Sequence, residues 1–178
     1  MVKIVATSVI ALALISGCSS RKISEDEIKD AQEKWGECIV EIGTEVKDYE
    51  KAKEIAQVCI DELYAYDDEE SGVAFKPTKA SALQFRTNEE DALSYFVGGK
   101  VAEDHGFALQ PWSKVRFENI KTITDNDSAI AMGNYYFTDA KTKQETKVEY
   151  TFGYTKEDGD VKINLHHSSL PFTPTPKH

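Results

Sequence analysis

Apolar positions between residues 28 and 63 recur every three to four residues, and after residue 113 they alternate with a period of two. The change of period divides the chain into a helical first part and a strand-rich second part. Ser24 with Glu27 forms a capping box, and Ile28, Ala31, Trp35, Ile39, Ile42 and Val46 then share one helical face. Asp48 caps a second helix whose apolar side carries Ala52, Ile55, Ala56, Cys59, Ile60 and Leu63. The acidic run 67–70 ends that helix as a solvated loop. It lacks EF-hand spacing, which leaves calcium a weak reading. Residues 72–78 read as a short strand stopped by Pro77. Thr87 with Glu90 is a second capping box, opening a helix that runs through Tyr95 and Phe96 to Gly98-Gly99.

Four strands follow, at 113–124, 128–138, 144–155 and 161–169, separated by short polar turns. In the third of them Val148, Tyr150, Phe152 and Tyr154 share a face. Helices followed by a meander predict an α+β fold. A long antiparallel sheet twists and curls, so its concave side can be closed by the N-terminal helices. The expected product is a cone with an internal pocket, a common place for small ligands. No internal repeat is visible.

Composition narrows the partners. The 178 residues suit one domain, and 40% apolar content with eight Tyr, eight Phe and two Trp can supply its core. A net charge of −10 speaks against a nucleic-acid partner, because phosphate binding needs concentrated Lys and Arg. The opening stretch MVKIVATSVIALALISGC has one cation, Lys3, and then an apolar run too short to span a bilayer. That pattern predicts a signal peptide over 1–17. Ile15-Ser16-Gly17-Cys18 resembles the bacterial lipobox, so Cys18 is the expected lipidation site. The expected location is a bacterial membrane, with the protein exported, lipid-anchored and facing the periplasm or the cell surface. Residues 18–23 would then be a tether, 24–172 the domain and 173–178 a loose tail. Cys38 and Cys59 lie equally far from the turn at Lys47-Asp48-Tyr49. In an antiparallel helix hairpin such positions face each other, which makes them a disulfide candidate in an oxidising compartment, or else two small thiols packed in one seam. Zinc spacing is absent around them.

The candidate chemistry sits in INLHHSSLPF, residues 163–172. By strand parity Val161, Ile163 and Leu165 point one way, and His167 and Ser169 continue that face into the pocket. His166 and Ser168 would face outward, unless a bulge swaps the assignment. A polar strand end with no task is the bland alternative. Neighbouring histidines on opposite strand faces do not readily share a metal. His105 is the remaining histidine outside the tail, and no Gly-x-Ser-x-Gly elbow supports a serine nucleophile.

Several stretches together resemble the iota-class carbonic anhydrases. They are Phe75-Lys76-Pro77-Thr78-Lys79-Ala80, Ser94-Tyr95-Phe96-Val97-Gly98-Gly99, Gly106-Phe107-Ala108-Leu109-Gln110-Pro111-Trp112, Lys147-Val148-Glu149-Tyr150-Thr151-Phe152-Gly153-Tyr154 and Leu165-His166-His167-Ser168-Ser169-Leu170-Pro171. The resemblance spans residues 30–172. It implies the cone fold of nuclear-transport-factor-two-like and SnoaL-like proteins, shared with the association domain of calcium/calmodulin-dependent protein kinase. Dimerisation through the sheet is common among these proteins. The implied reaction is reversible hydration of carbon dioxide to bicarbonate and a proton. Members are described with and without a metal. The metal-free form is the favoured expectation, with zinc or manganese as the alternative.

In the metal-free form bicarbonate sits among a threonine, a tyrosine, a serine and a histidine. Here these match Thr78, Tyr95 and the closing motif. Parity selects His167 and Ser169 from that motif, with His166 and Ser168 as alternates. Thr78 and Ser169 would position oxygens, Tyr95 would donate a hydrogen bond, and His167 would act as base or relay. Modest turnover is expected, lost when His167 is protonated. Tyr150 and Phe152 are expected as pocket wall, and Trp112 as a packing anchor. The competing reading is a non-catalytic cone that binds a small ligand or serves as a dimeric association module.

Overall fold

A computed structural model describes residues 22–67 and 72–174. The expected leader, the lipidation candidate Cys18, part of the acidic run and the last four residues of the tail lie outside the described residues. Helices α1 (Glu25–Thr44), α2 (Tyr49–Leu63) and α3 (Glu89–Val97) accompany strands β1 (Ala74–Lys76), β2 (Trp112–Thr124), β3 (Ser128–Asp139), β4 (Glu145–Glu157) and β5 (Asp160–Ser169). A short 3-10 turn, Phe107–Leu109, precedes β2.

The start signals act as their chemistry requires. The Glu27 N–H donates to Ser24 Oγ at 3.2 Å, and the Glu27 carboxylate accepts from the Ser24 N–H at 2.8 Å. Asp48 accepts from the Lys51 N–H at the head of α2. At α3 the cap is Asn88 rather than the expected Thr87, with Asn88 Oδ1 accepting from the Asp91 N–H at 3.0 Å. Asn is at least as good a cap as Thr, and it stands one residue later. Val46 falls past the end of α1 and is 51% exposed, so it is not part of the core stripe. Cys38 of α1 and Cys59 of α2 form a disulfide, with their Cα atoms 6.2 Å apart. Closing a segment of 21 residues constrains the unfolded chain by roughly 3 kcal/mol.

The five strands form one sheet in the order β1-β5-β4-β3-β2. The four long strands are antiparallel, and β1 lies parallel to β5 at the edge. Ala129, Ala131, Tyr135 and Phe137 of β3 face the helices and are buried, while Ile130 and Met132 face away. Trp35 of α1 fills the concavity, with ring centroids 5.8 to 6.2 Å from Phe117, Tyr135, Phe137 and Phe152. This aromatic layer is the core that the two hydrophobic periods predict.

Two glycines let the sheet bend. The register between β2 and β3 shifts at Asn119/Lys121, opposite Gly133. A Cβ on Gly133 would come within 2.0 Å of the Glu118 carbonyl oxygen. The register between β4 and β5 shifts at Gly153/Tyr154, where Asn164 is the extra residue. A Cβ on Gly153 would stand 2.8 Å from the Leu165 Cβ. Bulges of this kind sharpen the local bend and re-aim every side chain beyond them.

Candidate active site

The Asn164 bulge decides which residues of β5 meet the interior. Before it, Ile163 pairs with Tyr154 and both are buried. Beyond it the parity reverses. His166 pairs with Phe152 and Ser168 with Tyr150, and each of the two is 3% exposed. His167 is exposed, and Ser169 sits outside beside Glu149, whose carboxylate it meets at 3.4 Å. The assignment of His167 and Ser169 to the pocket is therefore corrected: the alternates, His166 and Ser168, occupy it. Uninterrupted alternation from Val161 would have placed them outward, and one inserted residue inverts the strand.

The parallel edge strand supplies the other half of the site. Register pairs Phe75 with His166, and their rings stack 4.4 Å apart at 19°. Pro77 ends β1, and the next residue, Thr78, donates from Oγ1 to Ser168 Oγ at 2.8 Å. Tyr135 of β3 lines the same cavity as this pair. Burial pushes its phenol well up. Tyr95 of α3 approaches from the opposite wall, its ring stacked 5.6 Å from Phe107. Its oxygen accepts the Lys79 N–H at 3.4 Å, which leaves its own proton free to donate. Burial, foremost, pushes Tyr95 up to about 12, so it keeps that proton at neutral pH.

These groups line a cavity of about 100 Å³, several times the roughly 10–15 Å³ that one water needs. Thr78, Tyr95, Tyr135, His166 and Ser168 are among its polar groups, together with Lys79, Gln110 and Thr146, and Trp35, Phe107, Phe137 and Val148 form apolar wall. The mixed lining offers a small ligand both apolar contact and hydrogen-bonding groups. Trp112 also lines it and anchors packing, with its ring 5.3 Å from Phe137. Tyr150 and Phe152 were expected as wall, but they stand behind it in the core. Phe152 backs His166 at 4.2 Å, and Tyr150 hydrogen-bonds Gln32 and Asn119.

The imidazole of His166 is enclosed by aromatic rings. Its Nδ1 lies 2.8 Å from the Tyr64 hydroxyl, and its Nε2 has no hydrogen-bond partner within the described residues. Burial, with a smaller contribution from His167, pushes its pKa well below the ordinary histidine range. His166 is therefore neutral at physiological pH. Tyr64 comes from the end of α2, where the chain turns extended and bridges to Ile163 of β5. Sequence reading missed Tyr64 and Tyr135, because a tyrosine within an apolar pattern looks like core. It named a bulge as what would swap the strand but did not place one, although a glycine inside the β4 pattern is the signal for it.

The loop that carries Thr78 is tied down from one side. The Glu103 carboxylate accepts the backbone N–H groups of Ser81, Ala82 and Leu83 at 2.9 to 3.1 Å. Those three bonds, led by Ala82, hold Glu103 down at about 2, so the clamp stays ionised. Among the described residues no group of three or more His, Cys, Asp or Glu side chains is placed to hold a metal ion.

Comparison with known proteins gives this geometry a family. The family of metal-independent carbonic anhydrases matches residues 26–170. A metal-independent carbonic anhydrase of Nostoc sp. (strain PCC 7120 / SAG 25.82 / UTEX 2576) is 41% identical over 176 residues, covering 96% of this chain and 82% of that protein. The crystal structure of the iota-carbonic anhydrase from a cyanobacterium, complexed with bicarbonate, superposes with a TM-score of 0.81 at 38% identity, over 96% of this chain and 100% of that one. A putative calcium/calmodulin dependent protein kinase II association domain from Xanthomonas campestris is 22% identical over 86% of this chain and 96% of that one, with a TM-score of 0.59, and shares the fold alone. The chain belongs to the metal-independent, iota-class carbonic anhydrases.

Proposed function

We propose that this carbonic anhydrase hydrates carbon dioxide, and dehydrates bicarbonate, in the cavity between Thr78, Tyr95, His166 and Ser168. The observation that carries the reading is the Thr78–Ser168 hydroxyl pair, held at 2.8 Å in the cavity beside a buried neutral imidazole. Free water is a poor nucleophile at neutral pH, with a pKa of about 15.7. Hydroxyls do not supply the field of a metal, but they can align a water with the carbon and move a proton. The water oxygen bonds to carbon, and one C=O electron pair moves onto its oxygen. A serine or threonine hydroxyl takes one water proton while passing its own to that oxygen. The sum is carbonic acid, which ionises in solvent to bicarbonate and a proton. Tyr95 donates to an oxygen as charge develops on it.

A stopped-flow hydration assay on protein stripped of metal by chelation tests this. The expected result is retained activity after chelation, and a loss of about 100-fold when Thr78→Ala removes one oxygen-positioning hydroxyl. Activity that disappears on chelation and returns with one metal would overturn the metal-free reading.

Protonation follows from burial. An unfolded histidine takes up a proton near pH 6.5, whereas folded His166 resists it to a lower pH. Between those two values the unfolded state holds the extra proton, so acid favours unfolding. The stability that neutral His166 contributes is complete above about pH 6.5 and is lost as pH falls toward the folded value. Thermal melts from pH 8 to 4.5 should show a steeper acid decline in the wild type than in His166→Asn. Parallel declines would contradict this. Hydration should likewise not fall with an ordinary histidine titration.

Export and assembly belong to the same proposal. The apolar run after Lys3 and the lipobox-like Cys18 support a lipid-anchored protein facing the periplasm, and the Cys38–Cys59 disulfide supports an oxidising compartment. Mass spectrometry of the exported N terminus reads the lipid. Ile123, Ile130 and Met132 are 60, 45 and 52% exposed on the sheet's outer face, with Leu165 and His167 on the same side. That apolar surface supports a dimer through the sheet, which sedimentation equilibrium would count.

A further inference from the structure

His166 has one nitrogen for the substrate, and the structure shows what the other one does. Trp35 Nε1–H donates to the Tyr64 oxygen at 2.8 Å, because an indole N–H can only donate. The same Tyr64 oxygen lies 2.8 Å from His166 Nδ1. A phenol has one proton. If it points at Nδ1, the indole N–H, the phenol and Nδ1 are all paired, and the imidazole proton must sit on Nε2, the one atom of the group left for a ligand in the cavity that His166 lines. If instead Nδ1 carried the proton and donated to Tyr64, the phenol oxygen would accept from both neighbours, its own proton would have no acceptor among the described residues, and Nε2 would be an unpaired acceptor as well. A buried donor left unpaired loses the hydrogen bond it made to water in the unfolded chain, which disfavours this arrangement. Burial also keeps Tyr64 protonated, pushing its phenol well above the ordinary range.

We infer that Tyr64, oriented by Trp35, is a positioning residue that locks His166 in the Nε2–H tautomer, so that His166 donates a hydrogen bond to a substrate oxygen and does not act as the base. The inference rests on the proposed hydration site and sharpens it. With Nε2 already protonated, the water proton has to leave through the Thr78 and Ser168 hydroxyls. The Nε2–H group stabilises the oxygen onto which the C=O pair moves. This reverses the expectation of a histidine base. Both helices of the hairpin take part, α1 through Trp35 and the end of α2 through Tyr64, and the Cys38–Cys59 disulfide joins them.

The test is nitrogen NMR on the full chain with ¹⁵N-labelled histidine, combined with stopped-flow hydration. In the wild type the His166 ring should show a protonated Nε2 and an unprotonated, hydrogen-bonded Nδ1. Tyr64→Phe should shift the tautomer away from Nε2–H and lower hydration by about tenfold, the scale of one neutral hydrogen bond, when assayed well below its own melting transition. A wild-type Nδ1–H tautomer overturns the inference, whatever Tyr64→Phe does to folding. So does a Tyr64→Phe protein with unchanged tautomer and rate. An Nε2–H tautomer in a protein that does not hydrate carbon dioxide would sink the proposed function and leave the lock standing.

Discussion

Replacing His166 with Asn, or Ser168 with Ala, is expected to lower carbon dioxide hydration by about 100-fold or more, the usual effect of removing one donor at a developing oxyanion. The neighbouring changes His167→Asn and Ser169→Ala are expected to alter it by no more than about twofold, the scale of a surface substitution. The contrast follows from one inserted residue. Asn164 turns His166 and Ser168 inward, to 3% exposure each, and sends their neighbours to the outer face. His166 is then stacked on Phe75 and backed by Phe152, so its ring has little freedom to move. Ser168 is held by Thr78, so its loss also releases the Thr78 hydroxyl. Steady-state kinetics on the four single variants read the difference. Equal losses from both pairs would show that the strand parity is wrong.

Arg86→Met is the second large effect, and it is read in stability. The Arg86 guanidinium is fully buried and pairs with Asp104 at 2.8 Å, while the Asp104 side chain is 1% exposed. Arg86 Nε and Nη1 find no protein partner among the described residues, so the pair is not a strong net stabiliser. Breaking it is a different matter, because a buried carboxylate is left without its counter-charge. The expected cost is about 3–5 kcal/mol. For a domain of this size that lowers Tm by on the order of 10 °C. Adding Asp104→Leu to Arg86→Met should recover part of the loss, since the uncompensated charge is then gone. Activity should fall along with stability. The Arg86 guanidinium lies 6.0 Å from the Tyr95 ring and 3.7 Å from the Glu103 carboxylate that clamps the Thr78 loop. Calorimetry that found Arg86→Met as stable as the wild type would contradict this role.

Much of the fold was legible because its elements announce themselves locally. The stripe from Ile28 to Ile42, the caps at Ser24 and Asp48, and the period-two face of Val148, Tyr150, Phe152 and Tyr154 need no distant partner to be recognised. The disulfide was legible from symmetry about the helix hairpin. The pairing of β1 with β5 was not. It rests on three residues and a partner about ninety positions away, and a parallel edge leaves no turn signal. The site divided along the same line. Thr78, Tyr95 and the four-residue His-Ser motif came from motifs that resemble a family. The choice within the motif failed, because parity counts residues and a bulge adds one. Gly153, in the middle of the β4 alternation, marked the place, but a glycine says that something comes close without saying what. Tyr64 and Trp35 were hidden for another reason. Their polar atoms matter only through each other and His166, a relation that no local pattern carries.

A crystal structure of the chelated protein soaked in bicarbonate tests the central claim most directly. The anion should occupy the cavity with its oxygens within hydrogen-bonding distance of Ser168 Oγ, Tyr95 Oη and His166 Nε2, with Thr78 still bonded to Ser168. An anion bound on the outer face beside His167 and Ser169, or a cavity that stays free of bicarbonate, would contradict it.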